Sequence, residues 1–448
     1  MDPSPTPASQ HSWMDADYMR VLGTRTPRNE PISIYEVHLG SFRRVPEEAD
    51  RPLTYRELAR WLPEHAGRLG FTHVEILPDP GIRAPFVATS YHGSEEDLMA
   101  LVDALHGRGL GVIWGNVALD PRGDDELERA VSRLEAFHAD GVRVVFPGSA
   151  SEGAEREEAE ALLRQFNERL HARLPGAFTV AAGAPDPAAA RALGFDFVWD
   201  LGFESDLLAY LGEDPFFRQW RHDLITSRRM TTVGQPVVLA LSHQAALGGK
   251  PSLLARMHGD RWQKFANLRL LYALAFMLPG KKLFFMGNEI AQERGFAADR
   301  SLDWHLVESE SEHLRMQHLV GELNAIYRAQ RSLHELDLSP EGFSWLDTSD
   351  AERSVIAFER KGDGGRDASV VVFNFTPVPR ANHRIGVPSA GHWEEALNTD
   401  AVHFGGSGQG NFGGVEAAPV PAHGKPFSLN LTLPPLGAIV LRPQNAAR

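Results

Sequence analysis

Residues 141–148 read GVRVVFPG, an apolar strand pattern that carries a guanidinium, Arg143, in its interior. Side chains alternate across a strand, so Arg143 and Val145 lie on one face. On either side of this run stand two stretches of helical periodicity, DELERAVSRLEAFHADG (125–141) and EREEAEALLRQFNERLHARL (155–174). The alternation continues in both directions. Upstream lie GVIWGNV (111–117), SEEDLMALVDALHGRG (94–109), HVEILP (73–78), YRELARWLPEHAGRLG (55–70) and ISIYEV (32–37). Downstream come FTVAAG (178–183), FDFVWD (195–200) with SDLLAYL, PVVLALSH (236–243) with WQKFANLRLLYALAFML, and KKLFFMGNE (281–289) before a helix near 311–330. Eight strand–helix repeats predict an α/β chain built as a (β/α)₈ barrel of the TIM type over residues 31–335. A doubly wound open sheet is the alternative, but no glycine-rich phosphate loop follows the first strand.

After residue 335 the texture changes to short alternating strands with Gly and Pro turns, among them SVVVFNFTP and FSLNLTLPPLGAIVLRP. Residues 336–448 therefore read as a C-terminal all-β sandwich. The first 30 residues, rich in Pro and polar side chains, read as a loosely packed N-terminal arm.

Composition narrows the function classes. Of the 448 residues, 43% are hydrophobic and 23% charged, ordinary for a globular chain. The formal charge of −14 argues against nucleic acid or an anionic membrane as partner. Without cysteine there is no disulfide, thiolate catalysis or Cys-based zinc site. No stretch approaches the ~20 apolar residues of a membrane span, and the N-terminus lacks the basic and apolar regions of a signal peptide. A cytoplasmic location is expected. No H-x-H or H-E-x-x-H spacing occurs, so no metal and no cofactor is expected.

ISIYEVHLGSFRR (32–44), YRELA…LGFTHVEILP (55–78), GDRWQKFANLRLLYALAFMLPGKKLFFMGNE (259–289) and SLDWHL (301–306) closely resemble the 1,4-α-glucan (glycogen) branching enzymes of the α-amylase clan, glycoside hydrolase family thirteen. FNFTPVPR (373–380) and FSLNLTLPPL resemble that family's β-domain. The resemblance runs from about residue 11 to 443, without the family's N-terminal carbohydrate-binding module. It implies cleavage of an α-1,4 bond and rejoining through an α-1,6 bond by double displacement. That chemistry needs a carboxylate nucleophile and a carboxylic acid about 5–5.5 Å apart, with a third carboxylate gripping sugar hydroxyls.

At the positions the resemblance assigns, these groups are absent. The nucleophile motif G-x-R-x-D is here Gly141-Val142-Arg143-Val144-Val145. The acid/base motif T-I-A-E is Thr179-Val180-Ala181-Ala182, and L-S-H-D is Leu241-Ser242-His243-Gln244. D-W-V-P-x-H is Gly115-Asn116-Val117-Ala118-Leu119-Asp120, and the aromatic G-Y-x-x-T-x-Y segment survives only as Pro85 to Tyr91. The loops after the second, third and fourth strands look shortened, which would shrink the cleft. The expectation is a catalytically inactive homologue with no catalytic residues, in which Arg143, His243, Gln244 and Tyr91 remain from a substrate site. Its partners would be α-glucan or a protein of glycogen metabolism. Arg143 is expected to pair with a nearby acid, His243 to be a structural histidine, and Trp304 and His305 to pack rather than stack on sugar. The alternative is an active α-glucan transferase or hydrolase using relocated carboxylates, drawn from Glu75, Asp79, Asp120, Asp186, Asp200, Glu204 and Glu289.

Overall fold

The alternating apolar runs become eight parallel strands: β1 (Ser33–Val37), β2 (His73–Ile76), β3 (Gly111–Val117), β4 (Gly141–Val145), β5 (Phe178–Ala182), β6 (Phe197–Asp200), β7 (Val237–Leu241) and β8 (Lys281–Phe285). They close into a barrel in sequential order, as a (β/α)₈ fold requires. The computed structural model describes residues 11–78, 88–119, 124–146, 154–184, 186–227, 233–309, 311–365 and 367–444. Two compact units divide the chain. One consists of Met1–Thr26, Ile34–Asp196 and Ala298–Ser301; the other of Pro27–Ser33, Phe197–Ala297 and Leu302–Arg448.

Local sequence explains where the helices start. Helix α1 (Tyr55–Arg68) opens with a capping box in which the Glu57 N–H donates to Thr54 Oγ1 at 3.3 Å and the Thr54 N–H donates to the Glu57 carboxylate at 2.7 Å. Ser94 and Asp97 repeat the device at α2 (Glu95–His106). Leu58, Leu62 and Ala66 recur at helical spacing and are all fully buried. Helices α3 (Asp124–Ala136), α4 (Ala154–Arg173), α5 (Leu201–Leu211), α6 (Arg261–Met277) and α7 (Glu312–Ala329) complete the repeats, with only a short turn of helix, Pro187–Ala192, after β5.

The arm is better anchored than its composition suggests. Residues 16–22 form a helix, and the Asp15 side chain does not cap it. Instead Asp15 Oδ2 accepts from His106 Nδ1 at 2.6 Å and from His138 Nδ1 at 2.8 Å. His106 Nε2 in turn lies 2.9 Å from Asp140 Oδ2, so one buried imidazole bridges two carboxylates. Trp13 stacks on His138 with ring centroids 3.8 Å apart.

The second unit ends in an antiparallel sandwich. One sheet has six strands, β9 (Phe343–Asp347), β10 (Val355–Lys361), β11 (Ala368–Asn374), β16 (Gly437–Pro443), β13 (Gly391–Asn398) and β14 (Gly414–Ala417) in spatial order. The other pairs β12 (Arg380–Val387) with β15 (Phe427–Leu433). Inward-facing Val355, Val370, Val372, Ile385, Trp393, Leu429, Leu431 and Ile439 form its core. No described helix is long and apolar enough to cross a membrane.

Candidate active site

Strands β4 and β5 lie in parallel register, Arg143 opposite Val180 and Val145 opposite Ala182. Neighbouring strands run about 4.8 Å apart. These are the positions at which the family resemblance expects the two carboxylates of a retaining double displacement. The side chains there are a valine, 42% exposed, and an alanine, 7% exposed. Neither can donate a proton or attack a carbon.

Two residues before Val145, Arg143 is 1% exposed and points to the barrel interior. Its Nε and Nη2 each reach Glu75 Oε1 at 2.5 Å, its Nη2 reaches Glu36 Oε1 at 3.3 Å, and its Nη1 donates to Asn116 Oδ1 at 3.2 Å. Glu36 and Glu75 are themselves register partners on β1 and β2. One cation thus answers two buried carboxylates.

Strand β3 makes room for this pairing. A Cβ on Gly115 would meet Glu75 Oε1 at 2.5 Å and Arg143 Nη2 at 3.1 Å, so only glycine fits. The next residue, Asn116, takes a left-handed φ of 59°, where the β3–β4 register shifts between Trp114 and Val117. Asparagine tolerates that conformation better than most residues, and the bulge aims its amide at Arg143.

In the second unit, Ser242 follows β7 and caps a 3₁₀ turn, His243–Ala245, through a hydrogen bond from the Gln244 N–H to its Oγ at 3.3 Å. His243 is buried beside the rings of Trp199 and Phe285, at 5.8 and 6.2 Å, while Gln244 is exposed. Among the described residues, a cavity of about 30 Å³ lies beyond β7 and β8, bounded in part by Ser242, Met286, Asn288, Gln292, Phe296 and Leu302. That holds about one water, against roughly 300 Å³ or more for an ordinary ligand pocket.

The other expected residues are scattered. Tyr91 is half exposed, its ring tilted against His92. Trp304 is half-buried and His305 is exposed, in a 3₁₀ turn. Of the acids considered as relocated catalytic groups, Glu75 is held by Arg143. Asp186 and Asp200 cap helices through the Ala189 and Phe203 N–H groups. Glu204 accepts from the Ser242 N–H at 2.9 Å, and Glu289 is buried and accepts from the Gly287 N–H at 2.7 Å. Asp79, Asp120 and residues 85–87 lie outside the described residues. Among the described residues no group of three or more His, Asp or Glu is placed to hold a metal ion. Glu36 went unnoticed in the sequence, although a lone acid inside the apolar run ISIYEV is the signal that would have found it.

Comparison with known proteins agrees with this architecture. Residues 345–444 match the alpha amylase C-terminal all-beta domain family. The 1,4-alpha-glucan branching enzyme GlgB of Aquifex aeolicus is 40% identical over 503 residues, covering 96% of this chain and 80% of the relative. That of Rubrobacter xylanophilus is 40% identical over 512 residues, covering 97% of this chain and 70% of the relative. Both matched stretches exceed the 448 residues of this chain, so the relatives carry internal segments that it lacks. Among solved structures, Eubacterium rectale Amy13B superposes with a TM-score of 0.66 at 14% identity, covering 96% of this chain and 99% of that one. The debranching enzyme of Nostoc punctiforme gives 0.64 at 14% identity, covering 92% and 97%. At those identities the likeness is one of fold.

Proposed function

The chain belongs to the family of 1,4-alpha-glucan branching enzymes, and from that premise we propose that it is a catalytically inactive member, a pseudoenzyme of α-glucan metabolism that binds glucan weakly or serves a protein partner as a scaffold. The observation that carries the reading is the register pair Val145–Ala182 at the carboxyl ends of β4 and β5. The nucleophile and the acid/base are expected there, and a hydrocarbon stands in both places. Loss of general acid catalysis alone removes roughly 10²–10⁴ in rate. Without the nucleophile no glycosyl-enzyme intermediate forms, and chain transfer stops at its first step.

Arg143, His243, Gln244 and Tyr91 are then what is left of the substrate site. Arg143 has become an internal counter-ion for Glu36 and Glu75. Relocated carboxylates find little support, because each described candidate already holds a backbone N–H or the Arg143 guanidinium. The same proposal puts the protein in the cytoplasm with the glucan, where cell fractionation would find it. The test is an iodine-absorbance assay on amylose. The purified chain is expected to leave the absorbance at the protein-free value while a GlgB relative lowers it. Activity that disappears on substituting Glu204 or Glu289 would instead establish relocated catalysis.

A further inference from the structure

Between the turn after β9 and the first half of β12, the C-terminal sandwich carries an open polar cleft of about 670 Å³, a volume in the range of a small-molecule site. Its walls are unequal in charge: Arg353, Arg380 and Arg384 line it against Asp347 and Asp350. The two acids are already answered. Asp347 Oδ1 accepts from the Ser349 N–H and Oγ, both at 2.8 Å, and Asp350 lies 3.7 Å from Arg353. Their side chains are 12% and 18% exposed against 59% for Arg353, so the carboxylates recede and the cation projects.

The two arginines of β12 are oriented but not neutralised. Arg380 Nη2 donates to Thr376 Oγ1 at 3.3 Å and Arg384 Nη1 donates to Ser428 Oγ at 2.8 Å, and neither forms an ion pair among the described residues. A hydroxyl fixes the direction of a guanidinium, leaves its charge in place and leaves it further N–H donors. The supports are themselves held: Thr376 Oγ1 donates to Asn374 Oδ1 at 2.8 Å, Asn374 Nδ2 to the Val378 carbonyl at 2.9 Å, and Ser428 Oγ to the Val420 carbonyl at 2.7 Å. Between Arg380 and His383 the register with β15 shifts, and the exposed Asn382 takes a φ of 57° there. Such a bulge re-aims side chains, and donors fixed in advance lower the ordering cost of binding. In a chain of formal charge −14, this is a local excess of cation with nothing on it.

We propose that this cleft binds a small phosphomonoester that also carries hydroxyl groups, a sugar phosphate in chemical class. The phosphate oxygens accept from Arg380, Arg384 and the Asn382 amide, and the guanidinium fork matches their geometry. Hydroxyls on the carrier donate to Asp347 or Asp350, whose carboxylates have lone pairs beyond those already used. A neutral sugar would leave the two arginines unanswered. No Phe, Tyr or Trp lines the cleft, so a nucleobase would find no stacking surface.

Calorimetric titration of the full chain at low ionic strength, with glucose 6-phosphate, glucose and inorganic phosphate in turn, tests this. Glucose 6-phosphate is expected to bind, inorganic phosphate to bind more weakly, and glucose to give no heat at the same concentrations. Glucose binding as tightly as its phosphate would overturn the proposal, and inorganic phosphate binding as tightly would overturn the ester in favour of a bare anion. Arg384→Ala and Arg353→Ala each remove an exposed cation, a change expected to leave the thermal transition in place. Losing a charged hydrogen-bond donor should weaken glucose 6-phosphate binding about tenfold in Arg384→Ala. Arg353→Ala, which leaves Asp350 unpaired beside the phosphate, should also bind more weakly. Wild-type affinity in both variants would show that the cleft is not the site.

Discussion

Arg143 sits fully inside the barrel because Glu36 and Glu75 are there to meet it, and the three are worth little apart. Removing one partner of a buried ion pair typically costs about 3–5 kcal/mol, because the charge left behind is uncompensated. Arg143→Met should therefore lower stability by about that much in urea unfolding, despite a good fit of volume. If the variant unfolds at the wild-type midpoint, the triad does not hold the barrel interior. The spacing in GVRVVFPG was enough to put Arg143 and Val145 on one face. It could not disclose Glu36 or Glu75, because the register between distant strands is set by tertiary packing and not by local pattern. Gly115 was hidden for the same reason. Its missing side chain matters only once Glu75 and Arg143 are known to pass beside it.

Among the elements, the barrel strands were legible almost to the residue, with GVIWGNV matching β3 at both ends and the others differing by a few residues at one or both ends. Short apolar runs alternating with helical stretches in an eightfold repeat are a strong signal, and the capping boxes at Thr54 and Ser94 sharpen the helix starts. The N-terminal helix was not legible, since Pro and polar residues masked an anchor formed by His106 and His138, about 90 and 120 residues away. Burial pulls the His106 pKa down, but hydrogen bonds to Asp140 and Asp15 outweigh it and raise the value to about 9. Asp15 and Asp140 are held below the usual carboxylate value by the same contacts, against their burial. Tyr18, stacked on His106 and bonded to Asp140, and His73 and Arg25 nearby complete the charge environment. A histidine with a raised pKa contributes its full stabilisation below about pH 6.5 and loses it as pH passes about 9. The carboxylates contribute above their ordinary pKa and lose their contribution in acid. Amide hydrogen exchange over residues 13–22 should therefore show strongest protection near neutrality and a loss of protection around pH 9. Protection that is flat from pH 6 to 10 would show that the ion pairs do not hold this helix.

At the scale of the whole molecule, the fold and family were written in long stretches of sequence, whereas the proposed role of the site rests on a few single positions, Val145, Ala182 and Gln244 foremost. The retained frame is extensive: a closed barrel, a C-terminal sandwich, and β4 and β5 in parallel register with Val145 opposite Ala182. Internal segments that the GlgB relatives carry are absent, and in the function proposed above the chemistry is absent with them. The central claim is that no covalent glycosyl-enzyme can form. Intact-mass spectrometry after incubation with a 5-fluoro-α-glucosyl fluoride, which traps such intermediates in retaining enzymes, tests it directly. The account predicts a protein mass unchanged at every time point; a stoichiometric adduct of one fluoroglucosyl group would contradict it.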